Sequence, residues 1–202
     1  MSKIFNQKGQ SLLELLVAIL ILVMVVTATI TLIVTSINAG RESRNKLIAT
    51  SLAREGIETV RNIRDSNWVD PSSPAWNSGL VGDNPAIPFV DLSTPTVLYY
   101  STDPQYQTRL FLYNDVYLQG NGVPGTGTEF YRLMYFNDIC LNDTTRDEQI
   151  VDKDSTDDCT SFGSGTDYEK VGLRVISEVH WPSETSNKKV IIEDRLYDWQ
   201  VL

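Results

Sequence analysis

Residues 15–37 contain no charged side chain, and this run constrains the chain more than any other stretch. Its polar members are only Thr27, Thr29, Thr31, Thr35 and Ser36. About 23 residues of helix, rising about 1.5 Å each, are long enough to span a bilayer core. One carboxylate, Glu14, stands at the start of the run. A charge in an apolar helix is costly unless it finds a partner. The first basic residue after it is Arg41, about 40 Å further along such a helix. The partner of Glu14 therefore has to come from another molecule.

Two ordinary uses of an apolar run are open. A secretory signal peptide wants a small-x-small cleavage site behind a short apolar core. Ala28 and Ala39 offer weak candidates, and Glu14 sits awkwardly at the start of that core. A plain single-span anchor explains the run but not the pairing of Gly9 with Glu14. The stretch Lys8-Gly9-Gln10-Ser11-Leu12-Leu13-Glu14-Leu15-Leu16-Val17-Ala18-Ile19, behind a short leader that also holds Lys3, resembles the prepilin N-terminal signature. Type IV pilins, minor pilins and type II secretion pseudopilins share that signature. The resemblance covers residues 1–37. It implies that a membrane-embedded prepilin peptidase cuts after Gly9 on the cytoplasmic side and methylates the new amino terminus at Gln10. It also implies that Glu14, fifth in the mature chain, pairs with that amine during assembly, often between neighbouring subunits. Such a pair sets register and docking more than net stability, because both ions are desolvated. Two departures stand out. Gln10 occupies a position where the family usually has phenylalanine or another apolar residue. No proline occurs between Met1 and Trp68, whereas major pilins often carry one near the position of Thr31.

The helical pattern continues past the apolar run. Leu47, Ile48, Leu52, Ile57, Val60 and Ile63 recur at helical spacings, with Arg41, Glu42, Arg44, Arg54, Glu55, Glu58, Arg61 and Arg64 between them. This is an amphipathic stripe suited to packing on a sheet. Asp65-Ser66-Asn67 and then Pro71 are expected to end it. The expected organisation is a leader (1–9), a transmembrane or filament-core half-helix (10–37), an amphipathic half (38–66) and a head (67–202). Residues 67–95, rich in Pro and Gly, read as a long connection pinned by Trp68 and Trp76. Strands are expected at 96–100, 109–113, 130–136 and 171–181, with 190–196 returning as a hairpin partner. Residues 196–202 read as a short strand or a docked tail. The glycines at 120, 122, 125 and 127 read as a loop between Leu118 and Glu129. The fold class is α+β: a long N-terminal helix on an antiparallel sheet, similar to the pilin fold.

Charge is unevenly divided. Residues 1–65 hold eight Lys/Arg and five Asp/Glu, while the remainder holds nine basic and 21 acidic residues. So acidic a head is a poor nucleic-acid binder, because neutralising phosphate needs clustered cations. It suits a soluble extracytoplasmic surface. The two cysteines, Cys140 and Cys159, fit one disulfide in an oxidising compartment, closing the acidic loop 140–159; two unrelated thiols are the alternative. Asp152, Asp154, Asp157 and Asp158 form a carboxylate-rich loop of a kind that suits Ca²⁺. It lacks the glycine and terminal glutamate of an EF-hand, so a solvated acidic loop is the competing reading. His180 is the only histidine, and it falls on the polar side of its expected strand. Gly163-Ser164-Gly165 lacks the strand-turn-helix context of a nucleophile elbow. No catalytic set, cofactor motif or enzyme activity is expected. The expected partners are other pilin subunits, the prepilin peptidase and an inner-membrane assembly platform. The chain would reside in the inner membrane with its head outside the cytoplasm, then in an extracellular or periplasmic filament. The resemblance implies a structural subunit, a minor pilin, of a type IV pilus or related filament, with a pseudopilin of a type II secretion system as the alternative within the family. A membrane-tethered enzyme or ligand-binding domain using a pilin-like signal is the reading from a different class.

Overall fold

The computed structural model describes residues 10–70, 72, 75–80, 86–90, 95–99, 109–119, 124–151, 159, 168–182 and 187–199. The chain divides into two compact units, Met1–Asn45 and Lys46–Leu202. One helix, α1 (Gln10–Val69), contributes to both.

In the first unit, every side chain from residue 12 to residue 37 is exposed. The threonine hydroxyls are satisfied within the helix itself. Thr27 donates to Val23 O, Thr31 to Thr27 O and Thr35 to Thr31 O, each at 2.9–3.0 Å, and Thr29 donates to Val26 O. These back-bonds leave the residues compatible with an apolar medium.

In the second unit, α1 buries Ala49, Leu52, Ala53, Gly56, Ile57, Val60 and Ile63. Their three- and four-residue spacing lays them along one face. That face packs on an antiparallel sheet, as the fold class anticipated. Its described strands are β1 (Ala86–Val90), β2 (Pro95–Tyr99), β3 (Arg109–Tyr113), β4 (Val116–Gln119), β5 (Thr126–Asn142), β6 (Glu148–Val151), β7 (Tyr168–Pro182) and β8 (Asn187–Tyr197). The long strand β5 organises them. One of its edges pairs with β7 from Tyr131 to Asn142, and β7 in turn pairs with β8. Elsewhere β5 pairs with β3, with β1 at Ala86↔Met134 and with β6. β8 has its only described ladder with β7, and Lys188, Lys189, Glu193 and Arg195 lie along it. Charges of this kind discourage edge-to-edge pairing.

Alternate residues of β5 and β7 meet the helix. Met134, Phe136, Leu173 and Val175 pack with Ile57, Val60 and Ile63. Phe130, Val179 and Trp181 pack with Ala49, Leu52 and Ala53. Gly56 marks the closest approach: a β-carbon there would lie 3.0 Å from Ser177 Oγ and 3.3 Å from Arg132 Cδ and Met134 Sδ. Beside it, Arg132 is 1% exposed. The strand expected at 130–136 thus places a guanidinium under the helix. Its Nη1 donates to Leu52 O at 2.8 Å and its Nε to Gln119 Oε1 at 3.0 Å. The nearest carboxylate, Glu55, is 3.4 Å away. Burial pushes the pKa of Arg132 down, with Glu55 opposing.

The structure corrects several boundaries. α1 runs to Val69, past the expected stop at residues 65–67. The Asn67 amide donates instead to Trp76 O and Ser78 O, at 3.0 and 2.8 Å, and so holds the following loop. The break comes at Asp70, whose carboxylate accepts from the backbone N–H and hydroxyl of Ser72. Trp76 is packed against the core, while Trp68 lies edge-on to Trp199 with the Arg64 guanidinium 4.4 Å from its ring centre. β1 lies inside what reads as a proline-rich connection. Gly127 lies within β5, not in a loop. β3 and β4 form a hairpin whose two turn residues, Asn114 and Asp115, both have positive φ (48° and 63°). That is the geometry of a two-residue hairpin turn, and Asn and Asp tolerate it best after glycine. Just past Tyr197, Asp198 N donates to Val171 O, and residues 200–202 of the expected tail lie outside the described residues.

Candidate assembly site

The site follows from the first unit. Leucine, isoleucine and valine side chains project all round α1 from Leu12 to Ile37, most of them more than half exposed. A helix apolar on every face is stable only when surrounded by lipid or by other apolar helices. Among the described residues this is one helix long and apolar enough to cross a membrane. Glu14 lies one turn in from the start of the helix, among Leu12, Leu13, Leu15 and Leu16, all exposed. No Lys or Arg lies between it and Arg41. Gln10 begins the helix, and Gly9 lies outside the described residues.

Residues 4–36 match the family model described as the prokaryotic N-terminal methylation motif. The chain carries the type IV prepilin-like signature. No curated protein and no solved structure matches this chain. The motif is of the kind that pilin-like proteins carry, and with the apolar helix it supports membrane anchoring through the N-terminal segment.

The other expected site residues fall as follows. Cys140 and Cys159 form a disulfide, with Cα atoms 5.4 Å apart. It packs with Val151 and Tyr168 in a small core of its own. In the chain-entropy model a bridge closing about 20 residues contributes about 3 kcal/mol. The bridge ties β5 to the chain beyond β6. Glu148 of β6 also accepts from Arg195 Nη1 at 2.7 Å and from the Tyr197 hydroxyl at 3.0 Å. Asp152, Asp154, Asp157 and Asp158 lie outside the described residues, as do Gly163, Ser164 and Gly165. Among the described residues no group of three or more His, Cys, Asp and Glu is placed to hold a metal ion.

His180 is half-buried, where its position on the strand's polar side suggested full exposure. It stands opposite Tyr131 in the β5–β7 ladder and meets that ring edge-on at 5.6 Å. Burial is the main cause that lowers its pKa below the ordinary 6.5. Lys189 on β8 adds to the shift and Glu178 opposes it. The native state thus prefers the neutral imidazole. The stabilisation is complete above the unfolded value and is lost as pH falls below 6.5 through the lowered native value. A His180→Gln variant should therefore lose less stability than the parent between about pH 7 and pH 5.5. Thermal melts at both pH values read the difference, and equal losses would contradict this role for His180.

Proposed function

We propose that this chain is a structural subunit, a minor pilin, of a bacterial type IV pilus or related filament. It enters the inner membrane through the apolar half of α1, with its head outside the cytoplasm. A prepilin peptidase cuts after Gly9 and methylates Gln10. The assembly platform then moves the subunit from lipid into a bundle of like helices, where Glu14 meets the new amine. The observation that carries this reading is the helix of the first unit. It is apolar on all sides, bears one carboxylate a turn from its start, and carries the methylation motif over the same residues. Its apolar surface needs lipid before assembly and other helices afterwards, and one segment serves both. The acidic second unit suits the outer surface of such a filament.

Processing tests the first step. A Gly9→Val variant should accumulate in the membrane at full precursor mass and be absent from filaments, while the parent chain loses residues 1–9. Mass spectrometry of detergent-extracted membranes reads both. Equal masses for parent and variant would overturn the assignment of the cleavage site.

A further inference from the structure

Glu14 has a second cationic partner available on every copy of the chain, and the helix geometry says where. Twenty-seven positions separate Glu14 from Arg41, with unbroken α-helix between them and no other Lys or Arg. At about 3.6 residues per turn this is about 7.5 turns, so the two side chains leave the helix in opposite directions. Both residues are exposed. Consider two parallel copies laid side by side in the same orientation. The face that one turns toward the other is opposite to the face it receives in return. When one copy is displaced by about 40 Å along the axis, Glu14 of the first copy meets Arg41 of the second. Arg44 and Lys46 lie 30 and 32 positions beyond Glu14, about 120° and about 40° from its direction. Either would need the copies turned about their axes.

We propose that Arg41 is the docking partner of Glu14 on a second copy and fixes the axial stagger between neighbouring subunits at about 40 Å. The inference rests on the reading that copies assemble through α1. It goes beyond that reading by naming the residue and the displacement. Two contacts on one carboxylate are compatible, since its two oxygens offer about four acceptor sites. The amine takes one oxygen and the guanidinium fork the other. Each copy offers a carboxylate at one level and a cation at another. The contact is therefore head-to-tail and repeats without closing, as an open filament requires.

Cysteine cross-linking in assembled filaments tests the stagger. The positions Ala18 and Asn45 are also 27 apart, each four residues beyond a member of the pair. The full chain has no free cysteine among its described residues, so the new thiols are the reactive ones. One tagged copy carries Ala18→Cys, a second carries Asn45→Cys, and the two are co-expressed with the processing and assembly machinery. A short bis-maleimide should join 18 to 45. Arg41→Ala should reduce that product and the filament yield by about tenfold or more. Arg41→Lys should restore most of both, and Arg44→Ala should leave both in place. The melting temperature of the Arg41→Ala chain should match the parent, because Arg41 is exposed. Filaments that cross-link 18 to 18 but not 18 to 45 would overturn the stagger and leave the filament reading standing. So would Arg41→Ala filaments formed at parental yield. Failure of the unmodified chain to enter filaments would overturn both.

Discussion

A chain carrying Glu14→Ala should be inserted, cleaved and methylated like the parent, yet be missing from filaments. The two halves of this result have separate physical causes. Insertion and processing depend on the apolar run and on the bond after Gly9. Removing a carboxylate from an apolar helix makes membrane residence easier. Assembly depends on what becomes of the positive amine at Gln10 once lipid headgroups and water are left behind. With Glu14 present the amine enters the bundle paired. With alanine it enters alone, and an uncompensated buried charge costs about 3–5 kcal/mol. That is a factor of about 10²–10³ or more for each subunit added. The expected loss is therefore close to complete. Sheared filaments and membranes analysed for the tagged chain read the two halves separately. Incorporation at parental levels would sink the assignment of Glu14 as an assembly contact. Loss of processing would show instead that the carboxylate serves the peptidase.

The second large effect is expected in the head. Arg132→Ala should lower its stability by about 3–4 kcal/mol, a large share of the 5–15 kcal/mol typical of a domain. The variant removes the donor to Leu52 O and to Gln119 Oε1 and leaves a cavity beneath α1 beside Gly56. Arg132→Met should cost less by about 2 kcal/mol, because it fills most of the volume and removes the charge whose burial is unfavourable. The depressed pKa of Arg132 expresses that same penalty. Among the described residues its carboxylate neighbour is Glu55, which is 42% exposed at the side chain and repays little of it. Chemical denaturation of the three proteins measures the order. Equal losses for alanine and methionine would mean that the guanidinium bonds, not the volume, hold the helix to the sheet.

Much of this architecture could be read from residue periodicity. The uncharged run and the stripe through Leu52, Ile57, Val60 and Ile63 specify both halves of α1. The alternation from Val171 to Trp181 specifies β7 and its hairpin partner. What escaped was set by contacts distant in sequence or by single residues that act against type. β1 contains Pro88, which argues against a strand. It is tolerated because the ladder from β1 to β5 is one residue long, at Ala86. β6 is four residues with an exposed Glu148-Gln149 start, and it is held by Arg195, Tyr197 and the disulfide more than by its own pattern. The β3–β4 hairpin had a legible signal, Asn114-Asp115 between Tyr113 and Val116, that composition alone hid. Asn67 reads as a helix terminator, and it lost that role to the loop carbonyls it binds. At the candidate site the sequence was more informative than the fold, because Gly9, Gln10 and Glu14 form a local signature. The direction of Arg41 was also latent in the sequence, since its spacing from Glu14 has meaning once the helix between them is continuous.

Intact-mass analysis of purified filaments decides whether this chain is a processed filament subunit. The expected mass is that of a mature chain that begins at N-methylated Gln10 and retains the Cys140–Cys159 disulfide. A chain in filaments that still carries residues 1–9, or filaments from which this chain is absent, would contradict it.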